Sequence, residues 1–157
     1  MGIDAELMSL AQYEQWQVMA EEAEIELVFP SENGVDRLWA GREALPSSDV
    51  IEHPTEYSGW DTAEKLVSLR ETMSKAGCDY HVVNALDCVA WLSNCRGQDE
   101  AHTPLFEARM VVGKDTAVLY LEVSRLAGGM QAKLNSMGVE VKSPKRLSVD
   151  LSMLTGR

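Results

Sequence analysis

"VVNALDCVAWLSNCRGQDEAHTPLF", residues 82–106, contains the pattern that decides the fold. A short apolar segment is followed by an amphipathic stretch around Trp91, and then by a polar loop. The first two parts predict a strand and a short helix. The loop carries Arg96, Asp99 and His102, which are a cation, a carboxylate and an imidazole close together in sequence. We therefore expect this loop to form part of an active site or its border.

The composition fits a globular protein with a core of its own. The chain has 157 residues, of which 45% are hydrophobic and 25% are charged, as in ordinary α/β domains. Its net charge of −11 argues against nucleic-acid binding, which needs a concentrated basic surface. The one dense basic spot, at Lys142, Lys145 and Arg146, is expected to be a solvated loop. No apolar run approaches the roughly 20 residues that cross a bilayer, so we expect no membrane partner.

The cysteines indicate a reducing compartment. An odd set, Cys78, Cys88 and Cys95, follows an N-terminus without the features of a secretory signal, which predicts free thiols in a cytoplasmic protein. No CxxC pair is present, so a zinc site is not expected. Cys95 stands beside Arg96, and a thiol hydrolase that uses Cys95 and His102 is one alternative function.

The hydrophobic periodicity predicts an alternation of helices and strands. The order is α, β, irregular, α, β, α, β, β, α, β, α, which gives an α/β fold with a mixed β-sheet flanked by helices. We expect one domain over residues 1–157, with 41–60 as an irregular connector inside it. The more detailed expectations are capping boxes at Ser9/Gln12 and Asp61/Glu64, a strand over 25–29, a helix capped by Asn84 with Trp91 in the core, a hairpin turning at 113–116, and a helix starting at Ser124.

The residues alone do not supply a complete catalytic set. His53, His81 and His102 share no metal-ligand spacing, and the chain has no phosphate-binding glycine loop and no GxSxG elbow. The loop 94–104 is the one suspicious polar cluster, in which Arg96 is able to bind a carboxylate. A structural alternative is that Arg96 pairs with Asp99 or Asp87 and only fixes the loop.

Four segments resemble a known enzyme family in order and spacing. They are "DRLWAGREALP" (36–46), "HPTEYSG" (53–59), "EKLVSLRETM" (64–73) and "NALDCVAWLSNCRGQDEAHTPLF" (84–106). They resemble the long, three-domain X-Pro aminopeptidase, or aminopeptidase P, of the creatinase/prolidase type. The last segment is long and specific, and its agreement includes Arg96, Gly97, Asp99 and His102. The chain departs from the family pattern at Gly41, Glu43, Asn84, Cys88, Val89 and Cys95.

The resemblance places the chain within the family's second, creatinase-N-terminal-like domain. That domain is a three-layer structure, a mixed sheet with helices on both faces. The resemblance implies a first domain before Met1 and a catalytic domain with the pita-bread fold after Arg157, absent from this chain. It also implies that the parent enzyme binds two manganese ions through residues of the catalytic domain. We therefore expect no catalytic residue, metal ligand or cofactor in residues 1–157.

The family reaction removes the N-terminal residue from peptides with proline in second position. The resemblance implies that this chain is a non-catalytic domain of such an enzyme. We expect Arg96, Asp99 and His102 to border the substrate cleft. The expected partners are the remaining domains of the same polypeptide and, through the full enzyme, a peptide substrate; a homodimer of the full enzyme is also consistent. The alternative is a standalone binding or scaffold protein that keeps the fold without the enzyme.

Overall fold

The chain forms two compact units, Met1–Ala44 and Leu45–Arg157. The computed structural model describes residues 1–42 and 47–154. The departure expected at Glu43 and part of the 41–60 connector therefore lie outside the described residues. The single domain over 1–157 stays a prediction.

The first unit is built around one helix. Helix α1 (Leu10–Glu22) begins with the predicted capping box, since the Ser9 hydroxyl accepts from the Gln12 amide at 3.3 Å and the Gln12 side chain accepts from the Ser9 amide at 3.0 Å. A single 3₁₀ turn, Ala5–Leu7, precedes it, and helix α2 (Gly34–Leu38) follows.

The strand predicted over 25–29 is wrong. The structure has only an isolated parallel bridge between Gly2 and Val28, with the Ile3 amide donating to the Val28 carbonyl at 2.9 Å. Alternation of apolar residues favours an extended segment, but a strand forms only where a neighbouring segment continues the ladder. The described part of the first unit supplies one bridge and no ladder.

The second unit holds the sheet and most of the core. Its helices are α3 (Thr55–Ser58), α4 (Thr62–Ala76), α5 (Leu86–Ser93), α6 (Met130–Ser136) and α7 (Leu147–Ser152), with 3₁₀ turns at Val123–Arg125 and Pro144–Arg146. Its strands are β1 (Ile51–Glu52), β2 (Tyr80–Val83), β3 (Cys95–Arg96), β4 (Arg109–Gly113), β5 (Ala117–Tyr120) and β6 (Glu140–Lys142). No helix in the described ranges is long and apolar enough to span a membrane.

The predicted mixed sheet is confirmed. Its strand order is β2-β4-β5-β6; β2, β4 and β5 pair antiparallel, and β6 runs parallel to β5. The predicted hairpin joins β4 to β5. Consecutive residues of β4, Met110, Val111 and Val112, are all buried. Because side chains alternate between the two faces of a strand, the sheet is covered on both faces.

Local sequence signals fix most helix ends. The predicted capping box opens α4: Asp61 accepts from the Glu64 amide and Glu64 accepts from the Asp61 amide, both at 2.8 Å. Gly77 ends the helix with φ +67°, a conformation that glycine adopts without a Cβ penalty. The capping residue of α5 is Ala85 and not the predicted Asn84.

The helix predicted from Ser124 is also wrong. A 3₁₀ turn ends at Arg125, and α6 starts only at Met130, after Gly128 and Gly129. Gly129 has φ +83°, which a right-handed helix does not contain. The two glycines therefore separate the turn from the helix, whereas the apolar spacing alone ran through them.

Gly97 directly follows β3 and packs closely against two other segments of the chain, around Ser48 and around Leu105 and Phe106. A Cβ built on it would be 2.6 Å from the Phe106 Cβ, 3.0 Å from the Ser48 hydroxyl and 3.2 Å from the Leu105 carbonyl oxygen. Phe106 is fully buried, so its Cβ has no space into which to move. Only glycine permits this close packing.

We predict that Gly97→Ala lowers the free energy of unfolding by about 1–3 kcal/mol, because the added methyl overpacks a closed site. Urea unfolding followed by circular dichroism measures this. Gly128→Ala is the matched control, since nothing lies within 4 Å of a Cβ placed there. Equal effects of the two substitutions would contradict the close-packing argument.

Candidate functional site

The connector and the polar loop come together along a two-stranded ladder. Strands β1 and β3 pair antiparallel, with Ile51 opposite Arg96 and Glu52 opposite Cys95. The His53 amide extends this contact by donating to the Asn94 carbonyl at 2.7 Å. Residues 51–53 therefore lie beside residues 94–96, although the two segments are far apart in sequence.

Asp99 is the most heavily hydrogen-bonded carboxylate of the loop. Both of its oxygens accept from Arg125 Nη2 at 2.7 Å. One oxygen also accepts from the Ser48 amide at 2.9 Å and the Ser48 hydroxyl at 2.8 Å, and the other from the Glu107 amide at 2.7 Å. Its side chain is only 6% exposed. We call the set Ser48, Asp99, Glu107 and Arg125 the Asp99 knot.

The Asp99 carboxylate is held in its charged form. Burial by itself raises its pKa, but the hydrogen bonds from the Glu107 and Ser48 amides and from Arg125 outweigh burial and lower the pKa to about 2. The sequence predicts that Asp99 borders a substrate cleft together with Arg96 and His102. The structure engages its carboxylate entirely within the knot, so that we assign Asp99 the positioning of the loop.

Arg96 turns back onto the helix before it. Its Nη1 donates to the carbonyls of Ala90 at 2.7 Å and Cys95 at 2.8 Å, at the C-terminal end of α5. A cation is favourable there because the helix end carries partial negative charge. The structural alternative, a pair of Arg96 with Asp99 or Asp87, is wrong: Asp99 binds Arg125, and Asp87 accepts from the Cys88 amide. Within the described residues, Nε and Nη2 of Arg96 have no hydrogen-bond acceptor.

Lys65 is a buried cation that the sequence analysis missed. Its side chain, in a residue only 1% exposed, donates to the Trp91 carbonyl at 2.6 Å and to the Asn94 side-chain oxygen. Burial lowers its pKa, the nearby charge of Arg96 lowers it further, and Asp61 opposes the shift. Lys65 lies one turn after a capping residue on a helix of mixed polarity, and no sequence signal distinguishes it from an exposed lysine.

Trp91 was predicted to be a core residue, and that prediction is wrong. Its side chain is 50% exposed. The Lys65 Nζ lies 4.5 Å from the centroid of its ring, a cation–π contact. Asn94 completes the arrangement, since its Nδ2 donates to the Trp60 carbonyl at 2.8 Å. Hydrogen bonds from Lys65 and Asn94 thus connect the end of α5 to α4 and to the connector, next to the half-exposed Trp91 side chain.

The three histidines lie on different elements and differ in exposure. His81 is exposed on the edge strand β2, whereas His53 is half-buried beside Tyr57, with 6.1 Å between the ring centroids. The pKa of His53 is lowered by burial and by the charges of Arg96 and Lys65. His102 is exposed in the loop, with the left-handed φ of +62°, and lines a shallow depression of about 470 Å³ along residues 98–104.

The described residues do not fit a metal centre. Over residues 1–42 and 47–154, no group of three or more His, Cys, Asp and Glu side chains is arranged to hold a metal ion.

The thiol-hydrolase alternative fails on Cys95. This cysteine is completely buried and its Sγ donates to the Ser93 carbonyl. Burial raises the pKa of its thiol to about 11, so that the reactive thiolate is nearly absent at neutral pH. Cys95 is an inert core residue.

A family profile described as the creatinase/prolidase N-terminal domain matches residues 41–156, which include the ladder, the Asp99 knot and the sheet. The chain belongs to the creatinase/prolidase N-terminal domain family. Two curated relatives of this domain are "Aminopeptidase P1" of Lotus japonicus, 29% identical over 98% of the chain, and "Probable Xaa-Pro aminopeptidase P" of Pyricularia oryzae, 33% identical over 98% of it.

A solved structure extends this likeness to three dimensions. The X-prolyl aminopeptidase of Caenorhabditis elegans, described as a cytosolic enzyme with a di-nuclear active site, superposes with a TM-score of 0.89 at 25% identity over 96% of the chain. The domain spans about a quarter of that protein and 23–25% of the two curated relatives. The resemblance stated from the sequence is confirmed.

We predict that Asp99→Asn costs this creatinase/prolidase N-terminal domain about 3 kcal/mol of unfolding free energy at pH 7, because Arg125 then keeps a buried charge without its partner. Urea unfolding measures the loss. Glu52→Gln is the matched control: Glu52 forms an ion pair with Lys133 on the surface, with side chains 36% and 44% exposed, and its loss should cost less than about 1 kcal/mol.

The same variant tests the pH dependence. Because folding lowers the pKa of Asp99 to about 2, its contribution is complete above about pH 4 and is lost as the pH falls through about 2. The stability difference between the wild-type domain and Asp99→Asn should therefore shrink by about 2 kcal/mol between pH 4 and pH 2. A difference that stays constant over this range would show that the charge of Asp99 does not stabilise the fold.

We predict that iodoacetamide at pH 7.5 modifies Cys88 while Cys95 stays unmodified in the folded domain. Cys88 is exposed and Cys95 is buried, and alkylation needs access as well as thiolate. Peptide mass spectrometry after timed quenching measures both sites, and the same reaction in urea should label all three cysteines. Faster labelling of Cys95 than of Cys88 in the folded protein would revive the thiol-hydrolase alternative.

Proposed function

We propose that the chain is a non-catalytic domain of a metal-dependent X-Pro aminopeptidase, which removes the N-terminal residue from peptides with proline in second position. The observation that carries the proposal is the match of nearly the whole chain to about a quarter of two relatives with this type of name.

The parent enzyme would supply the chemistry from another domain. The di-nuclear active site described for the C. elegans protein favours two metal ions in the parent, which we propose are manganese bound outside this chain. Such ions activate water for attack on a peptide bond. We also propose a cytoplasmic parent, in line with the cytosolic description of that protein, and consider a homodimer of the full enzyme consistent with it.

Within this parent we propose that the loop 94–104 borders the substrate cleft. Arg96 retains donors that no described residue uses, and His102 presents an exposed imidazole beside a depression in the loop. The hydrogen bonds of the Asp99 knot fix the backbone of the loop, which positions the side chains of Arg96 and His102. The domain thereby limits which peptides reach the cleft and helps to assemble the enzyme.

His102 is suited to a sharp test because its backbone already favours glycine. At φ +62° an L-residue is strained and glycine is not. His102→Gly should change the free energy of unfolding by less than about 1 kcal/mol, since relief of strain offsets the larger freedom of the unfolded chain.

We predict that His102→Gly in the full-length enzyme lowers kcat/KM for long X-Pro peptides about threefold, the effect of losing one contact at the rim of a site. Steady-state kinetics with peptides of increasing length measures this, and His81→Gly is the control for removal of an exposed imidazole. If His102→Gly and Arg96→Gln both leave kcat/KM unchanged for every peptide length, the loop does not border the cleft.

The standalone-protein alternative is tested by size. An immunoblot of the source cells with antibody against this chain should reveal a band several times larger than 17.4 kDa. A band at 17.4 kDa would contradict the proposed parent enzyme and favour a scaffold that keeps only the fold.

A further inference from the structure

We infer that Arg96 and the side chains around it bind the C-terminal carboxylate of short peptide substrates. This inference rests on the proposed function, and it assigns to one residue of the loop a chemical selectivity. We call the surface formed by His53, Tyr57, Trp60, Trp91 and Arg96 around the buried Lys65 the basic–aromatic patch.

The first observation is that two cationic side chains lie close together on a protein with a negative net charge. The chain has a net charge of −11, yet Lys65 and Arg96 lie close enough for each charge to act on His53, and the charge of Arg96 acts on Lys65. In the described ranges, neither cation forms an ion pair with a carboxylate. An anion from solution would be attracted to this region of the surface.

Two carboxylates close in sequence, those of Asp61 and Glu52, form no ion pair with either cation, although the charge of Asp61 acts on Lys65. Asp61 accepts the amide of Glu64 in the capping box of α4, and Glu52 pairs with Lys133. Helix carbonyls offset part of the positive charge, through Ala90 to Arg96 and through Trp91 to Lys65. Asp61 offsets part of the charge of Lys65, whereas Arg96 meets only partial dipoles, which do not neutralise a full charge, so that positive charge remains at Arg96.

The second observation is the donor geometry of Arg96. Only its Nη1 is used, by Ala90 and Cys95, which fixes the guanidinium plane against the end of α5. Nε and Nη2 form one edge of the guanidinium, and this edge has no acceptor in the described part of the chain. Two parallel donors on a fixed plane match the two oxygens of a carboxylate.

The third observation is the surrounding aromatic surface. The side chains of Tyr57, Trp60 and Trp91 are 71%, 51% and 50% exposed. The backbone of two of them is bonded, since Asn94 binds the Trp60 carbonyl and Lys65 binds the Trp91 carbonyl, and Lys65 also contacts the Trp91 ring. Large aromatic side chains have few rotatable bonds and contribute contact area at little cost in conformational entropy. They are suited to pack against the residues that precede the carboxylate of a peptide.

The test uses the full-length enzyme and pairs of X-Pro peptides that end either in a free acid or in an amide. For each length, the ratio of kcat/KM for acid over amide is measured. This ratio does not depend on the fraction of enzyme that is folded, so it remains valid if a variant is less stable. We expect a ratio of about ten at one peptide length, because a charge-assisted bidentate contact is lost with the amide.

Arg96→Gln should bring this ratio to about one, and Arg96→Lys should restore only part of it, since lysine keeps the charge without the fork. Arg70→Gln is the matched control. Arg70 also donates to two backbone carbonyls, those of Gly113 at 3.0 Å and Thr116 at 3.1 Å, but it lies at the hairpin. It should leave the ratio unchanged.

Each remaining outcome overturns the inference in a distinct way. If Arg96→Gln lowers kcat/KM equally for acids and amides, Arg96 supports the loop or a domain contact, and the proposed cleft border stands without carboxylate recognition. If the wild-type enzyme does not distinguish acids from amides at any length, no carboxylate site exists. If Arg96→Gln changes neither substrate while His102→Gly does, the loop borders the cleft and the patch does not.

Discussion

The arrangement of the loop depends on the carboxylate of Asp99. It accepts hydrogen bonds from three segments that are distant in sequence: the connector at Ser48, the chain after the loop at Glu107, and the turn that carries Arg125. Arg125 also donates from Nε to the Ser48 carbonyl, and its own carbonyl accepts from the Val50 amide. One buried charge therefore holds together segments that contain little regular structure. Such a charge is stable only while each of its partners is in place, so the loop has a single well-defined arrangement.

The ladder β1–β3 and the close packing at Gly97 follow from this anchorage. Ser48 binds Asp99 with its hydroxyl and also accepts from the Gln98 amide at 2.7 Å, which brings the connector directly beneath Gly97. With residue 48 fixed there, the next residues run alongside the end of α5 and place His53 next to Asn94. The basic–aromatic patch is the surface that results. Its chemistry comes from residues near 53–60, 65 and 91–96, and none of these segments forms it alone.

Local signals were enough for the elements whose cause is local. The capping boxes of α1 and α4 and the β4–β5 hairpin are set by a few neighbouring residues, and each of these predictions is confirmed. The strand over 25–29 and the helix from Ser124 failed because one needs a partner strand and the other is interrupted by two glycines. The mixed sheet was foreseen from the alternation of elements, whereas its strand order was not, since order depends on which distant segments pair.

At the candidate site, too, the sequence identifies the residues of the loop but not their contacts. The sequence selects Arg96, Asp99 and His102 from one polar loop. The neighbouring residues in sequence do not distinguish a charged side chain that binds a substrate from one that fixes the loop. The difference lies in Arg125, which is 26 positions away and which the sequence predicts only as part of a helix that the structure does not contain. Asp99 found its partner there, and this left Arg96 to the end of α5. Arg125 binds both oxygens of Asp99 and the Ser48 carbonyl, whereas Arg96 binds the carbonyls of Ala90 and Cys95. Arg96 keeps Nε and Nη2 without an acceptor in the described part of the chain, and this feature, which the sequence does not reveal, is the basis of the anion-binding role proposed for it.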